Sequence, residues 1–299
     1  MHYLSVDDLS KEQVVDIFDI ADDIESGKVK ISLKDSVLVL LFEKPSTRTR
    51  VSFEVAMAQL GGHSIYIDAK SSQLSRGEAL GDTAKVLSGY VNFIAARLNS
   101  HNDLLQLANS SSVPVINALT DLEHPCQALS DLYTVLEAKK RLKGIRLAFV
   151  GDIAANTANS LMLLGAKLGL EIALVGPKNY VPNAKYFTRA REYGTVDVYN
   201  DLKEGLSDCD VVYTDTFVSM GQEASAEQRN KMFMPYQVNS KMLAYAKKDV
   251  SVMHCLPAHR DVEITSEVLD GPRSIVWQQA KNKMLLEKAL LLYVSEKDQ

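Results

Sequence analysis

Short apolar runs alternate with stretches of helical period along most of the chain, and this alternation limits the fold more than any other feature. In the first half the strand-like runs are Val37–Phe42, Ser64–Ile67, Val91–Ala96 and Val113–Asn117. Between them lie Thr47–Leu60, Leu80–Tyr90 and His101–Ser110, which read as helices; Phe53, Ala56, Met57 and Leu60, for example, recur at i, i+3, i+4 and i+7. That order predicts a parallel sheet with helices on its faces. Pro125–Lys140 reads as a long helix. A second series follows, with strands at Arg146–Val150, Glu171–Val175, Val196–Tyr199, Val211–Thr214, Val250–Met253 and Ser274–Trp277. Thr157–Leu168 and Asn183–Tyr193 are helices between them, and a final helix runs from Ala280 to Val294. The expected fold class is therefore α/β, with two doubly wound parallel-sheet domains, a division that suits 299 residues.

Charge and cysteine usage narrow the function. A net charge of −5 makes nucleic acid a poor partner, so any basic site must be local. No apolar run approaches the length of a membrane span. Met1-His2-Tyr3 leads into an acidic helix expected over Val6–Ile24, which does not resemble a signal peptide. The three cysteines, Cys126, Cys209 and Cys255, are odd in number and widely spaced, which suits free thiols in a reducing cytoplasm. Without a CxxC pair, a structural zinc site is not expected.

In open α/β sheets ligands bind beyond the carboxyl ends of the strands, and the chemically marked residues fall there. Glu43-Lys44-Pro45-Ser46-Thr47-Arg48-Thr49-Arg50 joins the first strand to the first helix of the sheet. Ser46 or Thr47 can cap that helix; Arg48 and Arg50 are then surface charges beside an ordinary cap, or, with the free N–H groups, an oxyanion site best filled by a phosphate. Two cations at a helix N-terminus oppose the dipole, which a bound anion explains. Arg97, directly after Val91–Ala96, is either a surface charge or a fork for a phosphate or carbonyl oxygen. His124 and Gln127 share one side of a first helical turn, where the histidine can cap the helix or donate to a carbonyl. Gly151-Asp152-Ile153-Ala154-Ala155-Asn156 stands where a dinucleotide fingerprint would stand but lacks the later glycines, so Asn156 at a helix N-terminus fits a carboxylate better. Asp215, past Val211–Thr214, is a loop cap or a seat for an ammonium group. His254 and Cys255 are adjacent and on a strand point apart, so a dyad is not expected. Cys255 is then a buried thiol or a thiolate contact for a cation.

Together these pieces resemble the aspartate and ornithine carbamoyltransferases over nearly the whole chain. Ser46-Thr47-Arg48-Thr49-Arg50 is similar to that family's carbamoyl-phosphate signature, and His124-Pro125-Cys126-Gln127 to its second such motif. Asp215 with Ser219-Met220-Gly221, and His254-Cys255-Leu256-Pro257, resemble the ornithine branch. The resemblance implies two domains joined by long helices, with the active site in the interdomain cleft. Residues 1–136 would bind carbamoyl phosphate, 137–280 would bind ornithine, and 281–299 would pack back on the first domain. It implies Ser46, Thr47, Arg48, Thr49, Arg97, His124, Gln127, Cys255, Leu256 and Lys283 around carbamoyl phosphate, with Gln73 lent to a neighbouring subunit's site in a trimer or assembly of trimers. Asn156, Asp215, Ser219 and Met220 would bind L-ornithine. Arg97, His124, Asp215 and Cys255 would be catalytic, without cofactor or metal. The implied reaction moves the carbamoyl group to the δ-amine of L-ornithine, giving L-citrulline and phosphate. Putrescine, N-acetylornithine and aspartate are the alternative acceptors. Three positions depart from the family: Lys283 stands for an arginine before the last helix, Phe217 for a frequent tryptophan, and Ala155-Asn156 for a frequent Asn-Asn pair.

Overall fold

A computed structural model describes residues 1–28, 32–218 and 226–297. The chain forms two compact units, one of residues 1–130 with 283–299 and one of residues 131–282. The first holds α1 (Lys11–Glu25), β1 (Val37–Phe42), α2 (Thr47–Gln59), β2 (His63–Asp68), α3 (Leu80–Ser88), β3 (Phe93–Arg97), α4 (His101–Ser110), β4 (Val115–Leu119) and the start of α5 (Pro125–Lys139). The second holds β5 (Arg146–Val150), α6 (Asn156–Lys167), β6 (Glu171–Val175), α7 (Ala184–Tyr193), β7 (Val196–Tyr199), α8 (Leu202–Leu206), β8 (Val211–Thr214), α9 (Ala226–Phe233), α10 (Ser240–Leu243), β9 (Ser251–His254), α11 (Ser266–Leu269) and the start of α12 (Val276–Glu296). The division falls inside α5, between Ser130 and Asp131, and inside α12, between Asn282 and Lys283.

In the first unit the strands lie in the order β2-β1-β3-β4, all parallel. Buried on both faces, β1 and β3 read as continuous apolar runs. Chain order reverses between β1 and β3, which is the switch point where such sheets open a crevice. Phe42 is level with Arg97 there, and Arg97 with Leu119. Arg97 is the last residue of β3, not the residue after it, and the register with β4 shifts between Ala96 and Arg97. The acidic helix expected over Val6–Ile24 is broken: a 3-10 turn at Val6–Asp8 ends at Leu9, and Ser10 caps α1 through a capping box with Gln13.

The second sheet has the order β7-β6-β5-β8-β9, again parallel, with its switch point between β5 and β8. Val150 is level with Thr214, and Thr214 with His254. One expected strand is absent: Ser274 makes a single bridge to Val252, and α12 begins at Val276. Ile275-Val276-Trp277 is too short for periodicity to tell strand from helix. Only the following residues show a helical period, with Gln279, Asn282, Lys283 and Leu286 buried.

Candidate active site

At the first switch point, Ser46 is the residue that caps α2. Its hydroxyl accepts from Thr49 N–H at 3.4 Å and donates to Thr49 Oγ1 at 3.1 Å. The cap fixes the first turn of a helix whose open N–H groups favour an anion. Arg48 stands exposed on that turn and makes no ion pair with the described residues. Arg50 is held elsewhere: its Nε meets Glu54 at 2.8 Å and its guanidinium lies 3.9 Å over the Tyr66 ring. Tyr66 in turn packs edge-on against Phe42, so Arg50 braces the loop.

Arg97, His124 and Gln127 are buried on neighbouring elements of the same unit. Glu43 N–H donates to the Arg97 carbonyl at 2.9 Å, tying the loop before α2 to the end of β3. His124 precedes Pro125, the first residue of α5, and its carbonyl accepts from Gln127 and Ala128 N–H. Burial, and then the charges of Lys283 and Arg97, push the His124 imidazole well below its ordinary range. It is neutral at physiological pH and keeps one N–H to donate. Lys283 lies inside α12, not before it, and is buried. Its ammonium donates to Gln127 Oε1 at 3.0 Å. Gln73 is exposed on a 3-10 turn, Gln73–Arg76, and its side chain bonds to none of the other site residues among those described.

At the second switch point, Gly151 has φ +121° and an added Cβ would meet the Phe217 ring at 3.3 Å. That explains a glycine there without any nucleotide. Asn156 opens α6, with Ala155 in the cap position, and its Oδ1 accepts from Thr157 N–H at 2.8 Å. Asp215 is half-buried just past β8, where Oδ1 accepts from Thr216 N–H at 2.7 Å and from the Cys255 thiol at 3.0 Å. Of the two expected options for Cys255, a buried thiol or a thiolate contact for a cation, the geometry here fits the thiol. Burial and the Asp215 carboxylate push the thiol well above its ordinary range, so Cys255 is a donor to Asp215. Ser219 and Met220 lie outside the described residues.

Leu256 has φ +59°, and a cis peptide joins it to Pro257. Its N–H donates to His254 Nδ1 at 2.8 Å, which places the ring proton on Nε2, 3.0 Å from buried Glu263. His254 therefore orients the loop and does not form a dyad with Cys255. Asp215, His254 and Cys255 bring ligand-type atoms within 4.8 Å of one another. As a metal site they fit poorly, because Leu256 N–H and Glu263 already engage both His254 nitrogens and burial with Asp215 disfavours the Cys255 thiolate.

Several supports carried little sequence signal. Asp152 and Arg229 form a buried ion pair, and Arg229 Nε also donates to the Phe217 carbonyl at 2.8 Å. The Phe217 ring stacks on Phe233 at 5.4 Å, so the departure from tryptophan is absorbed in the core. Gln279 on α12 donates to Asp131 at 2.7 Å and accepts from His254 N–H at 3.0 Å, while Tyr213 donates to Asp131 at 2.8 Å. Arg229→Ala would leave Asp152 buried and unpaired. The expected loss is about 3–5 kcal/mol in urea unfolding. A loss below about 1 kcal/mol would mean that the pair does not hold this loop.

Residues 1–137 match the family model described as aspartate/ornithine carbamoyltransferase, carbamoyl-P binding domain, and residues 143–294 match the Asp/Orn binding domain. The chain belongs to the aspartate/ornithine carbamoyltransferase family. It is 46% identical to the ornithine carbamoyltransferase of Methanosarcina acetivorans over 97% of each chain. It is 45% identical to that of Bacillus subtilis, over 96% of this chain and 92% of the relative. Among solved structures, ornithine carbamoyltransferase from Pyrococcus furiosus superposes with a TM-score of 0.92 at 45% identity, covering 97% of this chain and 95% of that one. The anabolic enzyme from Campylobacter jejuni gives 0.93 at 36% identity over 99% of each chain.

Proposed function

We propose that the chain transfers the carbamoyl group of carbamoyl phosphate to the δ-amine of L-ornithine, giving L-citrulline and phosphate. The observation that carries this reading is Asp215. It is a carboxylate at the second unit's switch point, hydrogen-bonded by a thiol and paired with no cation among the described residues. Such a group attracts an amine and would repel the second carboxylate of aspartate. Asn156 and the N-terminus of α6 suit the acceptor's α-carboxylate, which putrescine lacks.

The roles follow from the chemistry of the groups. Ser46, Thr47, Arg48 and Thr49 at the start of α2 hold the phosphate, with Lys283 adding a buried charge. Arg97, neutral His124 and Gln127 hold the carbamoyl end, and the Leu256 carbonyl accepts from its amino group. The neutral δ-amine attacks the carbamoyl carbon, the C–N bond forms and the C–O bond to phosphate breaks. Arg97, His124 and Thr49 stabilise negative charge on the carbonyl oxygen, and Arg48 stabilises the leaving phosphate. The proton lost by the amine passes to phosphate. Asp215 and Cys255, with Ser219 and Met220, orient ornithine, and holding both substrates in place lowers the entropic part of the barrier.

The exposed Gln73 segment serves a neighbouring subunit's site in a trimer or an assembly of trimers. Three free cysteines suit a reducing cytoplasm, and the word anabolic in the name of the Pyrococcus furiosus relative supports a role in arginine biosynthesis. Parallel assays with ornithine, putrescine, N-acetylornithine and aspartate test the acceptor. Ornithine is expected to give a kcat/KM at least about a hundredfold above the others. Equal turnover of any of them would defeat the assignment.

A further inference from the structure

Lys283 and Glu287 are four residues apart on α12 and so share one face of the helix. Both are buried, at 6% and 1% exposure. Lys283 reaches Gln127, whereas the Glu287 oxygens make no hydrogen bond of ordinary geometry among the described residues and have only a weak pull from the Ser52 hydroxyl. The groups that face Glu287 are Lys283 on its own helix, the Cys126 thiol on α5 and the Ser52 hydroxyl on α2. A carboxyl with so little compensation is costly to ionise. A side chain of this kind beside a substrate-binding lysine is not explained by packing alone.

We propose that Glu287 is a positioning residue for the carbamoyl-phosphate half-site, setting the charge and placement of Lys283 and thereby the affinity for the phosphorylated substrate. The proposal rests on the function inferred above and deepens it. An ammonium has no fixed fork, so neighbours decide where it points. Ionised Glu287 draws Lys283 towards itself and offsets its field; protonated Glu287 leaves that field to the incoming dianion. Burial raises this carboxyl to about 8 despite the opposing charge of Lys283. The sign follows. The group is neutral below its folded-state value, so affinity for the anion is high there and declines as pH rises through it.

The test is KM for carbamoyl phosphate and kcat, measured from about pH 6.5 to about 9.5 at saturating ornithine, for the parent chain and Glu287→Gln. The parent's KM is expected to rise about three- to tenfold across this range. In the Gln variant KM should stay flat and fall below the parent's at the alkaline end, with kcat within about twofold. A rise in the variant equal to the parent's overturns the proposal. Should Glu287→Gln fail to fold by circular dichroism, Glu287→Met carries the same expectation. Glu287→Asp should restore a pH-dependent KM, which a purely structural role would not. A parent without carbamoyl transfer would instead refute the function itself. A parent that is active with a pH-independent KM refutes only the role of Glu287.

Discussion

Arg48→Ala is expected to lower kcat/KM for carbamoyl phosphate by about two to three orders of magnitude while leaving the fold intact. Arg48 is exposed on the first turn of α2 and pairs with no described residue, so little native packing depends on it. A cation at a helix N-terminus also opposes the dipole, typically by about 0.3–1 kcal/mol. Its removal should therefore leave the melting temperature unchanged or slightly higher. Loss of activity together with unchanged or increased stability marks a residue retained for a ligand. The measurement pairs steady-state kinetics with a thermal melt. Turnover within threefold of the parent would dismantle the phosphate assignment.

Asp215→Asn is the second large effect. Replacing the carboxylate by an amide removes the charge that would attract the acceptor's amine and introduces two donors. We expect kcat/KM for ornithine to fall about a hundred- to a thousandfold, with binding of carbamoyl phosphate to the isolated first substrate site little changed. A second consequence is readable at Cys255. Asp215 is one cause of that thiol's raised value, so the variant's Cys255 should ionise at lower pH. It should then react faster with an alkylating reagent, which attacks thiolates. An unchanged alkylation rate would mean that burial alone controls the thiol.

Much of this molecule could be read before any coordinates. Strands buried on both faces announce themselves as apolar runs, and β1, β5, β6, β7 and β8 begin and end where the sequence places them. The site motifs fell at strand ends because the parallel topology requires ligands there. What the sequence hid depends on long-range geometry. Nothing local says that Arg229 would reach Asp152, or that Gln279 would meet both Asp131 and the His254 backbone. Cys255 could be read as thiol or thiolate because its state depends on Asp215, forty residues away in sequence. Ser274–Trp277 was ambiguous for a different reason. Three apolar residues fit a strand as well as a helix start, and only the tertiary setting decides.

The first unit takes its closing segment, residues 283–299, from the far side of the second unit in sequence. Lys283, Leu286, Ala289, Leu290 and Tyr293 are all buried there. During synthesis, residues 1–130 therefore emerge with part of their core still unmade. A chain of this order completes its N-terminal unit last, in contrast to the usual course in which the N-terminal domain folds first. The buried ammonium that meets Gln127 arrives only after the second unit has been translated. A polypeptide ending before residue 283 would thus lack the segment that completes the first unit, so that unit's assembly is tied to completion of its own translation.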